Sequence, residues 1–214
     1  MERTRRAVLA GLSAGGVVGV AGCLGDDAPD TPEYDCDAEP ASPDLEYRPV
    51  LGDPDSDVVV QVFEDFTCGV CADFKLEEFP AVREAHIDTG AVRYEHWDFP
   101  IPVDEDWAVP VASAARGVGA RQGDEAFFAF TGTVYEFHGS YGHEAIGYAA
   151  EEAGADPCAA IADAEARSYE PALMSDREEG VSIGVEGTPT TFVNGEVVNS
   201  NAEAIADAIE SARA

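Results

Sequence analysis

Cys68 and Cys71 stand two residues apart, between the apolar run Val58, Val59, Val60, Gln61, Val62, Phe63 and a helix-like stretch that begins at Ala72. Two thiols at this spacing on the first turn of a helix lie within bridging distance, so a disulfide can close with little backbone movement. The β-branched run predicts a strand buried on both faces, after which the chain turns and Cys68 opens the helix. Unpaired N–H groups and aligned peptide dipoles at a helix start stabilise a thiolate over a thiol. Cys68 is therefore expected to be acidic and nucleophilic, and the pair to exchange disulfides without any other cofactor. A C-x-x-C pair also serves zinc half-sites and structural disulfides. Zinc needs two further ligands at short spacing, whereas Cys23, Cys36 and Cys158 occur singly, so no metal is expected.

A second segment, Val185 to Gly195, carries a proline at the head of a short β-rich run, Thr190, Thr191, Phe192, Val193. Pro189 cannot donate to a strand ladder, which suits the first residue of a strand or a special turn. On the residues alone it reads as an ordinary trans proline, with a cis Thr188–Pro189 bond as the alternative. Asn194 and Gly195 supply a hairpin turn, and Glu196, Val197, Val198 return.

Taken together, Asp65, Phe66, Thr67, Cys68, Gly69, Val70, Cys71 and Gly187, Thr188, Pro189, Thr190 resemble the thioredoxin superfamily, and more closely its DsbA-like branch. Trp97, Asp98, Phe99, Pro100, Ile101 looks like that family's strand leading into its helical insertion. The resemblance covers about residues 48–214. It implies an α/β thioredoxin fold with an all-helical insertion, a cis Pro189 facing the dithiol, and Thr188 offering its backbone to an extended client peptide. It also implies that Cys68 attacks and Cys71 resolves. The chain departs from the pattern twice. Gly69 and Val70 replace the usual proline with an aromatic or histidine, leaving no side-chain hydrogen bond to the thiolate from within the motif. Val62 replaces the acid that relays the resolving thiol's proton in many relatives, and Asp65 and Glu64 are the nearest substitutes.

The N-terminus bears on location. Thr4, Arg5, Arg6, Ala7, Val8, Leu9 forms a twin-arginine pattern followed by a Gly-rich apolar stretch. Val20, Ala21, Gly22, Cys23 resembles a lipobox, in which residues 1–22 are removed and Cys23 carries lipid. An uncleaved anchor is the alternative, but the stretch falls short of the roughly 20 apolar residues that span a bilayer. Both readings put the domain outside the cell, tethered to the outer face of the membrane. A twin-arginine route carries folded proteins, so the fold is not expected to depend on a Cys68–Cys71 bridge.

The chain has 12 basic and 43 acidic residues, a net charge of −31, with Lys75 its one lysine. Such a domain repels itself at low salt, whereas molar salt shortens the screening length to about 3 Å. This balance suits a halophilic, haloarchaeal-type protein and argues against nucleic acid or anionic membrane surfaces as partners. Disorder does not explain it, because 45% of residues are hydrophobic and they recur with period.

Residues 23–47 are rich in Asp, Glu and Pro and predict a mobile tether. In the domain at 48–214, a short edge strand and a turn at Gly52, Asp53, Pro54 precede the central strand. Phe74, Phe79 and Val82 mark the inner face of the first helix, which Pro80 kinks and Gly90 ends. Val92, Tyr94 and His96 alternate in the next strand. From about 104 to 180 the pattern is helical, broken near Gly123, Gly139, Gly142 and Gly154. Ser200 and Glu203 predict a capping box on a last helix whose Ile205 and Ile209 face the sheet.

With Cys23 set aside for lipid, Cys36 and Cys158 remain as an even pair, either a structural disulfide or two unrelated thiols. His138 and His143 flank a Gly- and Tyr-containing loop with no acid or cysteine completing a metal set. His86 and His96 read as surface or strand residues. The expected partners are exported proteins bearing thiols or disulfides and an unidentified membrane redox partner that recycles the dithiol. A reductase or isomerase, a component of cytochrome maturation, and a non-catalytic metal-binding lipoprotein on the same scaffold remain as alternatives.

Overall fold

Val60, Val62 and Phe63 are wholly buried, and their strand, β2 (Val59–Glu64), is the middle of a five-stranded sheet. The computed structural model describes residues 31–101 and 103–214. Across the sheet the order is β1 (Val50–Gly52), β3 (Arg93–Asp98), β2, β4 (Thr190–Val193), β5 (Glu196–Val198). β2 and β3 run parallel, and the remaining neighbours pair antiparallel. A parallel pair needs a long crossover. Here it is the helical segment of residues 69–87, made of α1 (Gly69–Asp73), α2 (Phe79–Val82) and the wide turns Phe74–Glu78 and Arg83–Ile87. In the first wide turn the N–H of Phe79 reaches back five residues to Phe74. Pro80 follows at once and has no N–H to restore the four-residue ladder. Phe74, Phe79 and Val82 face inward as their spacing predicts.

β4 and β5 form a hairpin in which Asn194 (φ 48°) and Gly195 (φ 83°) both take the left-handed conformation that a two-residue turn between twisted strands requires. Helix α8 (Ala202–Ala212) then seals one face of the sheet with the wholly buried Ile205 and Ile209, each stabilising by about 1.5–3 kcal/mol. Its cap differs from expectation. Asn201 accepts from the N–H of Ala204 and is the N-cap, because the Ser200 hydroxyl is engaged at Thr191 Oγ1 (2.8 Å) and the Pro189 carbonyl (3.3 Å).

Between β3 and β4 lies the helical lobe: α3 (Ala108–Gln122), α4 (Asp124–Tyr135), α5 (His143–Glu152), α6 (Pro157–Ala166) and α7 (Glu170–Ser182). Buried alanines, among them Ala112, Ala114, Ala115, Ala149, Ala150 and Ala160, let its helices approach closely. Arg116 of α3 ties lobe to sheet. Its guanidinium, 1% exposed, pairs with Asp98 of β3 (2.6 Å), with Asp176 of α7 and with the carbonyl of Tyr47.

Residues 31–47, expected as free tether, are instead a strap laid on this lobe. Cys36 and Cys158 form a disulfide with a Cα–Cα distance of 5.2 Å. The Tyr34 ring packs over Gly147 and its hydroxyl donates to Glu151 (3.0 Å), while the Tyr47 hydroxyl donates to Asp124 (2.9 Å). Two aromatic rings and a cross-link outweigh the solvation of the acidic residues between them. The twin-arginine stretch and Cys23 lie outside the described residues.

Candidate active site

Cys68 is the N-cap of α1, so its carbonyl accepts from the N–H of Cys71 (3.0 Å) and Ala72 (3.1 Å) while its sulfur sits at the positive helix end. Both cysteines are free thiols; Cys68 is 7% exposed and Cys71 not at all. The hydrogen bond from the Cys71 thiol lowers the Cys68 pKa most. Burial opposes it, and the Thr188 hydroxyl and the N–H groups of Cys71 and Val70 add to it, leaving the value at about 5. Cys71 goes the other way: burial, the bond it gives Cys68 and the nearby Glu64 charge push its pKa far above that of a free thiol.

The loop from the far end of the chain meets this pair. The Thr188–Pro189 bond is cis, and the Cys68 thiol lies 3.3 Å from the Thr188 carbonyl. Pro189 immediately precedes β4, the neighbour of β2, so sheet register fixes the approach.

Asp65 and Glu64 are both buried, not surface-solvated, and they behave differently. Asp65 accepts from the Thr67 N–H (2.6 Å), the Thr67 hydroxyl (2.5 Å) and the Ile101 N–H (2.7 Å), which shapes the dithiol loop and latches it to the segment after β3. Burial nevertheless raises its pKa. Glu64 faces Lys75 Nζ at 3.0 Å and His96 Nδ1 at 3.5 Å, and Tyr135 donates to it at 3.3 Å. Burial opposes its charge, but Lys75 and His96 outweigh that and hold its pKa below the usual carboxylate value. Glu64, then, is the acid whose charge Cys71 senses.

The helical lobe supplies contacts that sequence reasoning passed over. Tyr141 donates to the Phe66 carbonyl (2.5 Å), and His138 Nε2 meets the Thr67 carbonyl at 3.0 Å. The His138 ring stands 3.5 Å from where a side chain on Gly69 would begin. Gly69 thus makes room for an imidazole that comes from another element rather than from within the motif. His138 and His143 do not converge: His143 lies against Glu165 (3.6 Å) and the Trp107 ring. The one sequence signal for His138 and Tyr141 was their position in an aromatic, Gly-containing loop after α4.

The Thioredoxin family profile matches residues 44–211. The chain belongs to the thioredoxin family. Its DsbA-like character follows from the helical insertion and from its relatives. A probable disulfide bond formation protein D of Bacillus anthracis is 25% identical over 171 residues, covering 75% of this chain and 76% of that one. Among solved structures, oxidised BdbD from Bacillus subtilis superposes with a TM-score of 0.69 at 22% identity, over 82% of this chain and 98% of that one. DsbA from Chlamydia trachomatis gives 0.70 at 21% identity, over 86% and 97%. This DsbA-like chain keeps the fold of those proteins, with Gly69 and Val70 between its cysteines.

Proposed function

We propose that this DsbA-like protein is an extracytoplasmic thiol–disulfide oxidoreductase that exchanges disulfides with exported client proteins through Cys68 and Cys71. The observation that carries the reading is the Cys68 sulfur, acidic at about 5, set against the Thr188 carbonyl beside cis Pro189. In the oxidising direction a client thiolate attacks Cys68 Sγ. A client–Cys68 S–S bond forms, the Cys68–Cys71 bond breaks, and Cys71 takes the electron pair. A second client thiolate then attacks the client sulfur and Cys68 leaves as a thiolate. A strongly stabilised Cys68 thiolate favours this direction, because it stabilises the reduced enzyme and is the better leaving group. Thr188 and Pro189 line the approach, where the Thr188 backbone pairs with an extended client peptide. A membrane redox partner returns the dithiol to the disulfide.

Removal of residues 1–22 and lipidation of Cys23 would hold the domain at the outer face of the membrane. The net charge of −31 supports work in concentrated salt. In a Cys71→Ser variant the Cys68 thiolate can still attack a client disulfide, but no Cys71 thiol is left to attack Cys68 and release the client, so the variant is expected to accumulate covalent adducts with exported proteins in the native membrane. Finding no adducts, or finding the same ones with Cys68→Ser, would sink the reading.

A further inference from the structure

His96 has no exposure and carries a carboxylate on each ring nitrogen. Nδ1 faces Glu64 Oε1 at 3.5 Å and Nε2 faces Asp98 Oδ1 at 3.2 Å. A neutral imidazole has one N–H and one lone pair, so it could satisfy one carboxylate and would turn its lone pair on the other; only the imidazolium serves both. The rest of the pocket makes the arrangement stable. Lys75 of the crossover helix sits on Glu64, Tyr135 of α4 donates to it, and the Tyr94 hydroxyl of β3 is buried nearby. Arg116 of α3 pairs with the second oxygen of Asp98 and with Asp176 of α7. Phe66 and Phe127 close the remaining sides of the ring. Glu64 Oε1, His96 Nδ1 and Lys75 Nζ are buried with no hydrogen bond of good geometry, so the three meet as close charges whose hydrogen-bonding capacity is unspent. Burial works against a charge on His96, but Asp98 and Glu64 outweigh it and its pKa rises.

Opening the Cys68–Cys71 bond leaves a thiolate on Cys71, in a place that strongly disfavours it. Glu64 is ionised against Lys75 and has no proton of its own to give. We propose that His96 stores the proton that Glu64 passes to Cys71 when the disulfide opens, making His96 a positioning and proton-holding residue for the exchange. The Nδ1 proton moves to Glu64 Oε1 and a proton moves from the carboxyl to Cys71. Glu64 ends as it began, Cys71 is a thiol, and His96 keeps its Nε2 proton toward Asp98 until solvent reloads it. The step transfers one proton and no electrons. It rests on the proposed dithiol exchange and adds to it the source of the proton.

The test compares oxidised full-length protein with H96Q in single-turnover oxidation of a reduced cysteine peptide across pH. The wild-type to variant rate ratio is expected to be about 100 where His96 is charged and to fall toward unity as pH rises through its pKa. The apparent pKa of Cys68, read by alkylation, is expected to stay put. A ratio constant with pH would mean a merely structural role and would overturn the proposal. Should H96Q not fold, nitrogen NMR of the His96 ring in the wild-type disulfide form decides: two protonated nitrogens at neutral pH are expected, and a singly protonated ring overturns it. No exchange by the wild type would remove this proposal together with the reading beneath it, whereas exchange with a pH-independent ratio removes this proposal alone.

Discussion

The two sides of the dithiol differ more than their three-residue separation suggests. In front, Cys68 meets a helix start, the Cys71 thiol and Thr188, and its pKa falls to about 5. Behind, Cys71 meets burial and the Glu64 charge, and its pKa climbs. The front is made mostly of backbone and local geometry, which any C-x-x-C at a helix start inherits. The rear is made of side chains from β2, β3, the crossover helix and α4, brought together by packing. The contrast teaches that nucleophile and resolving thiol are assigned by surroundings, since the residues themselves are identical.

The largest expected break is in the rear. Glu64→Gln leaves Lys75 buried without its partner and is expected to cost about 3–5 kcal/mol in denaturant unfolding. In a Cys68→Ser background the same change should lower the Cys71 pKa in a thiol titration, because a nearby negative charge is gone. Replacing Cys36 and Cys158 by serine reaches neither side of the dithiol. It is expected to cost about 2–4 kcal/mol of stability while leaving the Cys68 pKa unchanged, and a shifted pKa would mean that the strap is coupled to the site. For the front, Cys68 alkylation should follow an apparent pKa of about 5. With an unfolded value of about 8.5, the stability this gives the reduced protein is fully present above that pH and is lost as pH falls through the folded value. At neutral pH it amounts to about 2–3 kcal/mol over a Cys68→Ser reference, measurable by unfolding across pH. The smallest effect sharpens the comparison. His138→Ala removes the ring that meets the Thr67 carbonyl and is expected to cost about 1 kcal/mol, with a measurable rise in the Cys68 pKa if that ring steadies the loop.

Much of the fold could be read from pattern. The buried run at 58–63 became β2, the Asn194–Gly195 turn became a hairpin, and the glycine breaks between 104 and 180 fall between the helices of the lobe. Errors gathered where a polar side chain had two physical options. Ser200 could cap α8 or bond across to Thr191, and the proximity of β4 decided for the latter. The acidic, Pro-rich stretch before 48 has the composition of a free linker, but Tyr34, Cys36 and Tyr47 pin it to helices more than 70 residues away. His96 read as a strand residue, which it is; that both of its nitrogens meet carboxylates depends on which strand pairs with β3 and in what register.

By itself the sequence determined the reactive pair, the strand and helix that carry it, and the acidic surface, because spacing, periodicity and composition act over a few residues or over the whole chain at once. Only the tertiary structure decided that Glu64 and not Asp65 would stand behind Cys71, and that the single lysine would be buried against Glu64. Those outcomes depend on how distant segments pack, and a buried charge declares itself only when its partner is in place.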